Sequence, residues 1–129
     1  MVIDTSALLA ILYDEPDARR YADAIAAAER RLISAATLLE TAIVVDNQAG
    51  AAAGRQLDAL VERARITMVP VGEDHVRIAR QAYLDFGKGN HPAGLNFGDC
   101  FSYALSQAAG EPLLYKGDDF ARTDAKAAL

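Results

Sequence analysis

Acidic residues with unusual neighbours come first. Asp4 closes the apolar run Met1-Val2-Ile3 and is followed by Thr5-Ser6. Glu40 lies between Leu38-Leu39 and Ala42-Ile43, Asp99 between Phe97-Gly98 and Cys100-Phe101, and Asp118-Asp119 follow the apolar stretch Pro112-Leu113-Leu114-Tyr115. Carboxylates gathered without cations repel one another, and their pKa values rise. Such a cluster is stable near neutral pH when a hard cation neutralises it. Mg2+ and Mn2+ prefer oxygen ligands and retain several waters. An ion of this kind acidifies a bound water, polarises a phosphoryl oxygen and stabilises the leaving oxygen, which is the chemistry of phosphodiester hydrolysis. Singly, each acid also has an ordinary reading. Asp4 reads as a cap or turn residue, Glu40 as a solvated helix residue, Asp99 as a first-turn acid favoured by the helix dipole, and Asp118 and Asp119 as turn residues. Their joint placement is what points to a site.

That placement follows from the elements. Met1–Asp4, Arg31–Ser34, Ile66–Val71 and Pro112–Tyr115 read as short buried strands. Helices are expected over Ala7–Leu12, with Thr5 and Ser6 as caps, and over Ala18–Glu29. A helix capped by Ser34 or Thr37 carries Leu38, Leu39, Ala42, Ile43 and Val45 along its apolar side. Gly50 and Gly54 loosen the turn after it, and Leu57, Leu60, Val61 and Ala64 mark the next helical stripe. Asp74–Phe86 and Phe97–Ala109 read as helices, separated by the glycine-rich loop Gly87–Asn96. Strands alternating with helices imply an α/β fold with a parallel sheet covered on both faces, and ligands in such sheets bind beyond the carboxyl ends of the strands. Asp4 ends the first strand and Asp118 and Asp119 follow the last. Glu40 and Asp99 lie on helices that leave or lead into strands, so these acids can meet at one sheet edge.

The chain of 129 residues is expected to form a single domain, 1–129. It is 52% hydrophobic and has no apolar run of about 18 residues, so no membrane span is expected. The start Met1-Val2-Ile3-Asp4 lacks the basic-then-apolar pattern of a signal peptide, which leads to a cytoplasmic expectation. Cys100 is the sole cysteine, so an internal disulfide and a cysteine-based zinc cage are both excluded. The net charge of −5 argues against nucleic-acid binding unless some acids hold metal, which turns an acidic pocket into a phosphate site.

With these residues in view, the chain resembles the PIN-domain ribonucleases, and more closely the VapC-type toxins of bacterial toxin–antitoxin pairs. The matching segments are Met1–Ala7, Glu40 within Leu38–Ala42, Gly94–Ala104 with its Asn96-Phe97-Gly98-Asp99-Cys100 block, Leu113–Phe120 and Thr123-Asp124. The resemblance covers almost the whole chain. It implies a PIN-like three-layer α/β/α sandwich with a central parallel sheet of four to five short strands. It further implies Mg2+- or Mn2+-dependent endonucleolytic cleavage of RNA, of transfer or ribosomal class, by a growth-inhibiting toxin. Asp4, Glu40 and Asp99 become the metal-site acids. Many PIN domains place a fourth acid three residues before the Phe of the last turn, but Gly117 stands there. Asp119 ranks first as its replacement, Asp118 second and Asp124 third. Asp4 and Asp99 are the direct ligands in this reading; Glu40 and Asp119 orient water or hold a second ion. The implied partner is a VapB-type antitoxin that inserts a segment into the active site, with the toxin a homodimer and the complex a heterotetramer or larger.

Ser6 resembles the hydroxyl residue the family keeps beside its first Asp, where it bonds a metal water or a phosphate; a plain helix cap is the equal alternative. Lys88, His91, Lys116 and Arg122 fall in the glycine loop and the final turn, and Lys88 and Lys116 lead as phosphate contacts. His75 reads as a surface residue and Cys100 as a small buried hydrophobe. Leu8, Leu9, Leu12, Tyr13, Tyr21 and Ile25 supply either core packing or a groove for a partner's helix. Three other functions compete with an RNA endonuclease. One is a PIN-like binding module whose acids hold no metal, which the presence of all three core acids disfavours. Another is a nuclease or phosphatase with a different substrate such as DNA. The last is a response-regulator-like domain, whose acid spacing does not fit.

Overall fold

Apolar residues alternate along each short strand, and the alternation sets the layers. In the computed structural model, which describes residues 1–129, the elements are β1 (Val2–Ile3), α1 (Thr5–Leu12), α2 (Ala18–Ala27), β2 (Leu32–Ser34), α3 (Ala35–Arg63), β3 (Thr67–Val69), α4 (Glu73–Phe86), α5 (Phe97–Ala109) and β4 (Leu113–Leu114). A single 3-10 turn, Phe120–Arg122, follows β4. The four strands form one sheet in the order β3-β2-β1-β4, and every pair is parallel. Val2 pairs with Leu32 and Leu113, and all three enter the core on the side of α4 and α5. Ile3, Ile33 and Leu114 point the other way, into the core built by α1, α2 and α3. This is a three-layer α/β/α arrangement. Beyond β4, Leu113 donates its N–H to Lys126 O (2.8 Å) and accepts from Ala128 N (2.9 Å), so the chain's last residues continue the sheet as an irregular fifth member.

The helix ends show why these segments fold as they do. Asp4 caps α1, its carboxylate accepting from Ser6 N at 3.0 Å. Thr5 and Ser6, expected as caps, lie inside the helix. Asn96 and Asp99 form a reciprocal capping box at the start of α5, and Gly110 closes that helix at φ 64, a left-handed conformation that suits glycine. The break expected at Gly50 is present: Gly50 takes φ 81 and ψ −175, which divides α3 into two helical segments joined by a sharp kink, a conformation that suits glycine. Ser34, not Thr37, precedes α3, and its hydroxyl makes no capping bond. Arg31 ties two helix ends together. Its guanidinium donates to Ala26 O and Ala28 O at the end of α2 and to Ala64 O at the end of α3, at 2.9, 3.2 and 2.8 Å. β3 is the exposed edge strand, with Thr67 and Met68 open to solvent. His75, expected at the surface, is buried in α4. No helix is long and apolar enough to cross a membrane.

Candidate active site

The carboxyl end of β1 puts Asp4 at the sheet edge, and the turn into α1 buries it at 4% exposure. Both carboxylate oxygens are engaged. Oδ2 accepts from Ser6 N and from Ser6 Oγ (2.6 Å), and Oδ1 accepts from Ser102 Oγ (2.6 Å). Ser6 Oγ in turn accepts the backbone N–H of Lys116 at 2.9 Å, which links α1 to the loop after β4. Thr5, next to Asp4, donates to Glu40 Oε1 at 2.8 Å and touches Thr41 Oγ1 at 2.9 Å. Asp4 and Glu40 are thus each held by their own hydroxyl donors, Ser6 and Ser102 for Asp4 and Thr5 for Glu40.

Glu40 reaches the start of α5 because residue 98 is glycine. A Cβ at that position would lie 2.7 Å from Glu40 Cδ and collide with Oε2. Asp99 accepts from Asn96 N at 3.0 Å as half of the capping box. Its carboxyl is pushed up from 3.8 to about 6. Burial is the largest cause. The Asn96 backbone N–H opposes it, while the charges of Asp4, Asp119 and Glu40 add to it. These acids therefore lie near enough to Asp99 for their charges to act on it. Asp119, which precedes the 3-10 turn, is among them. Asp124 accepts from Tyr103 OH at 2.6 Å. Cys100 is buried, donates to Asn96 O, and has its thiol raised to about 11, by burial first and then by Asp99. It stays protonated and packs as a small hydrophobe.

None of Asp4, Glu40, Asp99 and Asp119 is ion-paired with a Lys or Arg. The donor set is oxygen only, which suits a hard cation and not zinc. No three of these side chains converge closely enough to ligate one ion directly. An ion here would keep water in much of its shell, as Mg2+ and Mn2+ do.

The basic residues divide. Lys116 places its ammonium on Glu15 and Asp17 at the α1–α2 corner, so it latches the last loop to that corner. Lys88 is exposed and forms no ion pair. His91 Nδ1 accepts from Ala93 N, and Arg122 donates to Pro92 O, so both brace the glycine loop. Among the apolar candidates, Leu8, Tyr21 and Ile25 are core, and Leu9 and Leu12 pack partly against it. Tyr13 alone of that set is exposed, joined by Leu39 and Ile43 on α3 beside Glu40. Sequence reasoning missed Ser102, Thr5 and Gly98 as parts of the site. Helical spacing held a signal for the first, since Ser102 lies three residues after Asp99 and therefore on the same face of α5.

The PIN domain family profile matches residues 1–126. Ribonuclease VapC28 of Mycobacterium tuberculosis is 55% identical over 130 residues, covering 100% of this chain and 98% of that protein. The chain is a PIN domain of the VapC ribonuclease family. A further VapC-family relative, Ribonuclease VapC of Mycolicibacterium smegmatis, is 53% identical over 127 residues, with 98% of each chain covered. The fold of this PIN domain also matches the crystal structure of Mycobacterium tuberculosis VapC20, described as a Sarcin-Ricin loop cleaving toxin. The TM-score is 0.77, over 96% of this chain and 95% of that one, at 16% identity. The four-stranded parallel sheet flanked by five helices is therefore the PIN architecture.

Proposed function

We propose that this VapC-family chain is an Mg2+- or Mn2+-dependent endoribonuclease that arrests growth as the toxin of a toxin–antitoxin pair. The observation that carries the reading is the set of carboxylates at the sheet edge with no Lys or Arg partner, where burial, with the charges of Asp4, Asp119 and Glu40 adding to it, raises Asp99 to about 6. Asp4 and Asp99 are the residues to hold the ion, with Glu40 and Asp119 orienting water or holding a second ion. The ion supplies an acidified water and charge stabilisation at the phosphoryl group. The protein's own part is positional. Ser6 and Ser102 fix the Asp4 carboxylate, and Thr5 and Gly98 admit and hold Glu40. Lys88 is free to meet a phosphate. Ser6 and Lys116 serve RNA indirectly, because their polar groups are engaged with Asp4 and with Glu15 and Asp17.

The relatives' name, ribonuclease, supports RNA as substrate, and transfer or ribosomal RNA is the class we assign. The same family points to a VapB-type antitoxin. The exposed Leu39 and Ile43 flanking Glu40 supply apolar anchors for its inserted segment. A homodimer, and a heterotetramer or larger with antitoxin, complete the proposal. The test is cleavage of total RNA by antitoxin-free protein with Mg2+, with Mn2+ and with EDTA, beside Asp99→Asn and a DNA control. Discrete RNA fragments that need metal and vanish in the variant are expected. Equal cleavage by Asp99→Asn, or none under any condition, rejects the catalytic assignment.

A further inference from the structure

We propose that Ser102 is a positioning residue that sets the orientation of the Asp4 carboxylate and thereby the affinity of the site for a divalent cation; this rests on the metal-site reading above. Ser102 is fully buried on α5, one turn beyond Asp99, and gives its only hydroxyl proton to Asp4 Oδ1 at 2.6 Å. Thr37, equally buried on α3, meets Ser102 Oγ at 3.2 Å. Since the Ser102 proton is taken by Asp4, Thr37 is the donor there. The result is a directed chain, Thr37 to Ser102 to Asp4, in a solvent-free interior where such chains reinforce one another.

Asp4 is held on its other oxygen by Ser6, so the carboxylate plane is pinned at both ends. Without Ser102 one end is released, and Oδ1 is left enclosed with no donor. The helix that carries Asp99 also carries the group that aims Asp4, which couples the two acids into one rigid geometry. Residues that orient a metal ligand through a hydrogen bond typically change metal affinity by about 10- to 100-fold when removed.

The experiment is calorimetric titration of Mn2+ into the purified, metal-free full chain, with thermal melting in EDTA as a second readout. Ser102→Ala is expected to weaken Mn2+ binding about tenfold. Thr37→Val keeps the side chain's shape and is expected to weaken binding by a smaller factor, which keeps the proposal testable if Ser102→Ala does not fold. Ser106→Ala is the control. It is another buried α5 serine, but its hydroxyl donates to Glu111 O at 2.6 Å, away from Asp4. Ser106→Ala is expected to lower the melting temperature and leave Mn2+ affinity unchanged. Unchanged affinity in both Ser102→Ala and Thr37→Val overturns the proposal, as does an equal loss in Ser102→Ala and Ser106→Ala. If the unmodified chain fails to bind Mn2+, the metal-site reading itself falls, an outcome the variants alone would not produce.

Discussion

Without a cation beside it, Asp99 keeps its proton at pH values where an ordinary aspartate has lost it. The unfolded chain releases that proton near 3.8, the folded chain near 6. Between those values the native state binds more protons, so stability falls as pH rises. The contribution is complete below 3.8 and gone above about 6. Melting in EDTA from pH 4.5 to 7.5 is expected to show the unmodified chain losing stability relative to Asp99→Asn across this window. A parallel course for the two proteins would contradict the assignment. Gly98 permits a separate test. Ala at 98 favours the helix by up to about 1 kcal/mol, yet it must displace the Glu40 carboxylate, the movable end of a flexible side chain. Gly98→Ala is expected to melt within a few degrees of the unmodified chain and to cleave RNA at least about tenfold more slowly. Asp4 and Asp99 were readable from sequence because each has a distinctive apolar flank. Gly98 was readable only as part of a motif, since its role depends on a side chain from α3 that no local pattern announces.

At the level of elements, Arg31 does more than its place before β2 suggests. Its guanidinium satisfies carbonyls at the ends of both α2 and α3, which lack partners of their own. Arg31→Met is expected to cost about 2 kcal/mol in urea unfolding, and Arg31→Lys to restore only part of that, because an ammonium cannot span the fork. Ser34 is the opposite case. Its hydroxyl is the buried side-chain polar atom with no hydrogen-bond partner. Ser34→Ala is expected to be neutral or to stabilise by up to about 1 kcal/mol. The strands and most helices were legible because short apolar runs alternate with 3.6-residue periodicity. The break within α3 was legible too, since Gly50 marks it and the apolar stripe Leu57, Leu60, Val61 and Ala64 announces the helical segment beyond. The pairing of residues 126–128 with β4 was hidden, because an alanine-rich end carries no strand signature.

Across the whole molecule, a net charge of −5 gathers part of its repulsion at one sheet edge. Binding a divalent ion there should relieve it. Mn2+ at 100 times its dissociation constant is expected to raise stability by about 2.7 kcal/mol through mass action. Thermal melting with and without Mn2+ checks this, and Asp99→Asn is expected to lose most of the gain. The α/β layering was legible from element order, and the parallel sheet followed from it. The latch from Lys116 to Glu15 and Asp17 was not, because it joins residues about a hundred positions apart in sequence.

Asp4 belongs to two systems at once, since the carboxylate placed for the ion also caps α1 and receives Ser102. A descendant chain that gave up its chemistry would still be under pressure to keep Asp4 for folding. Glu40 is under no such pressure; beyond Thr5 it has no hydrogen-bond partner. Among diverging copies of this fold, a retained first Asp therefore says little about whether the enzyme is alive, and position 40 is where decay would register first.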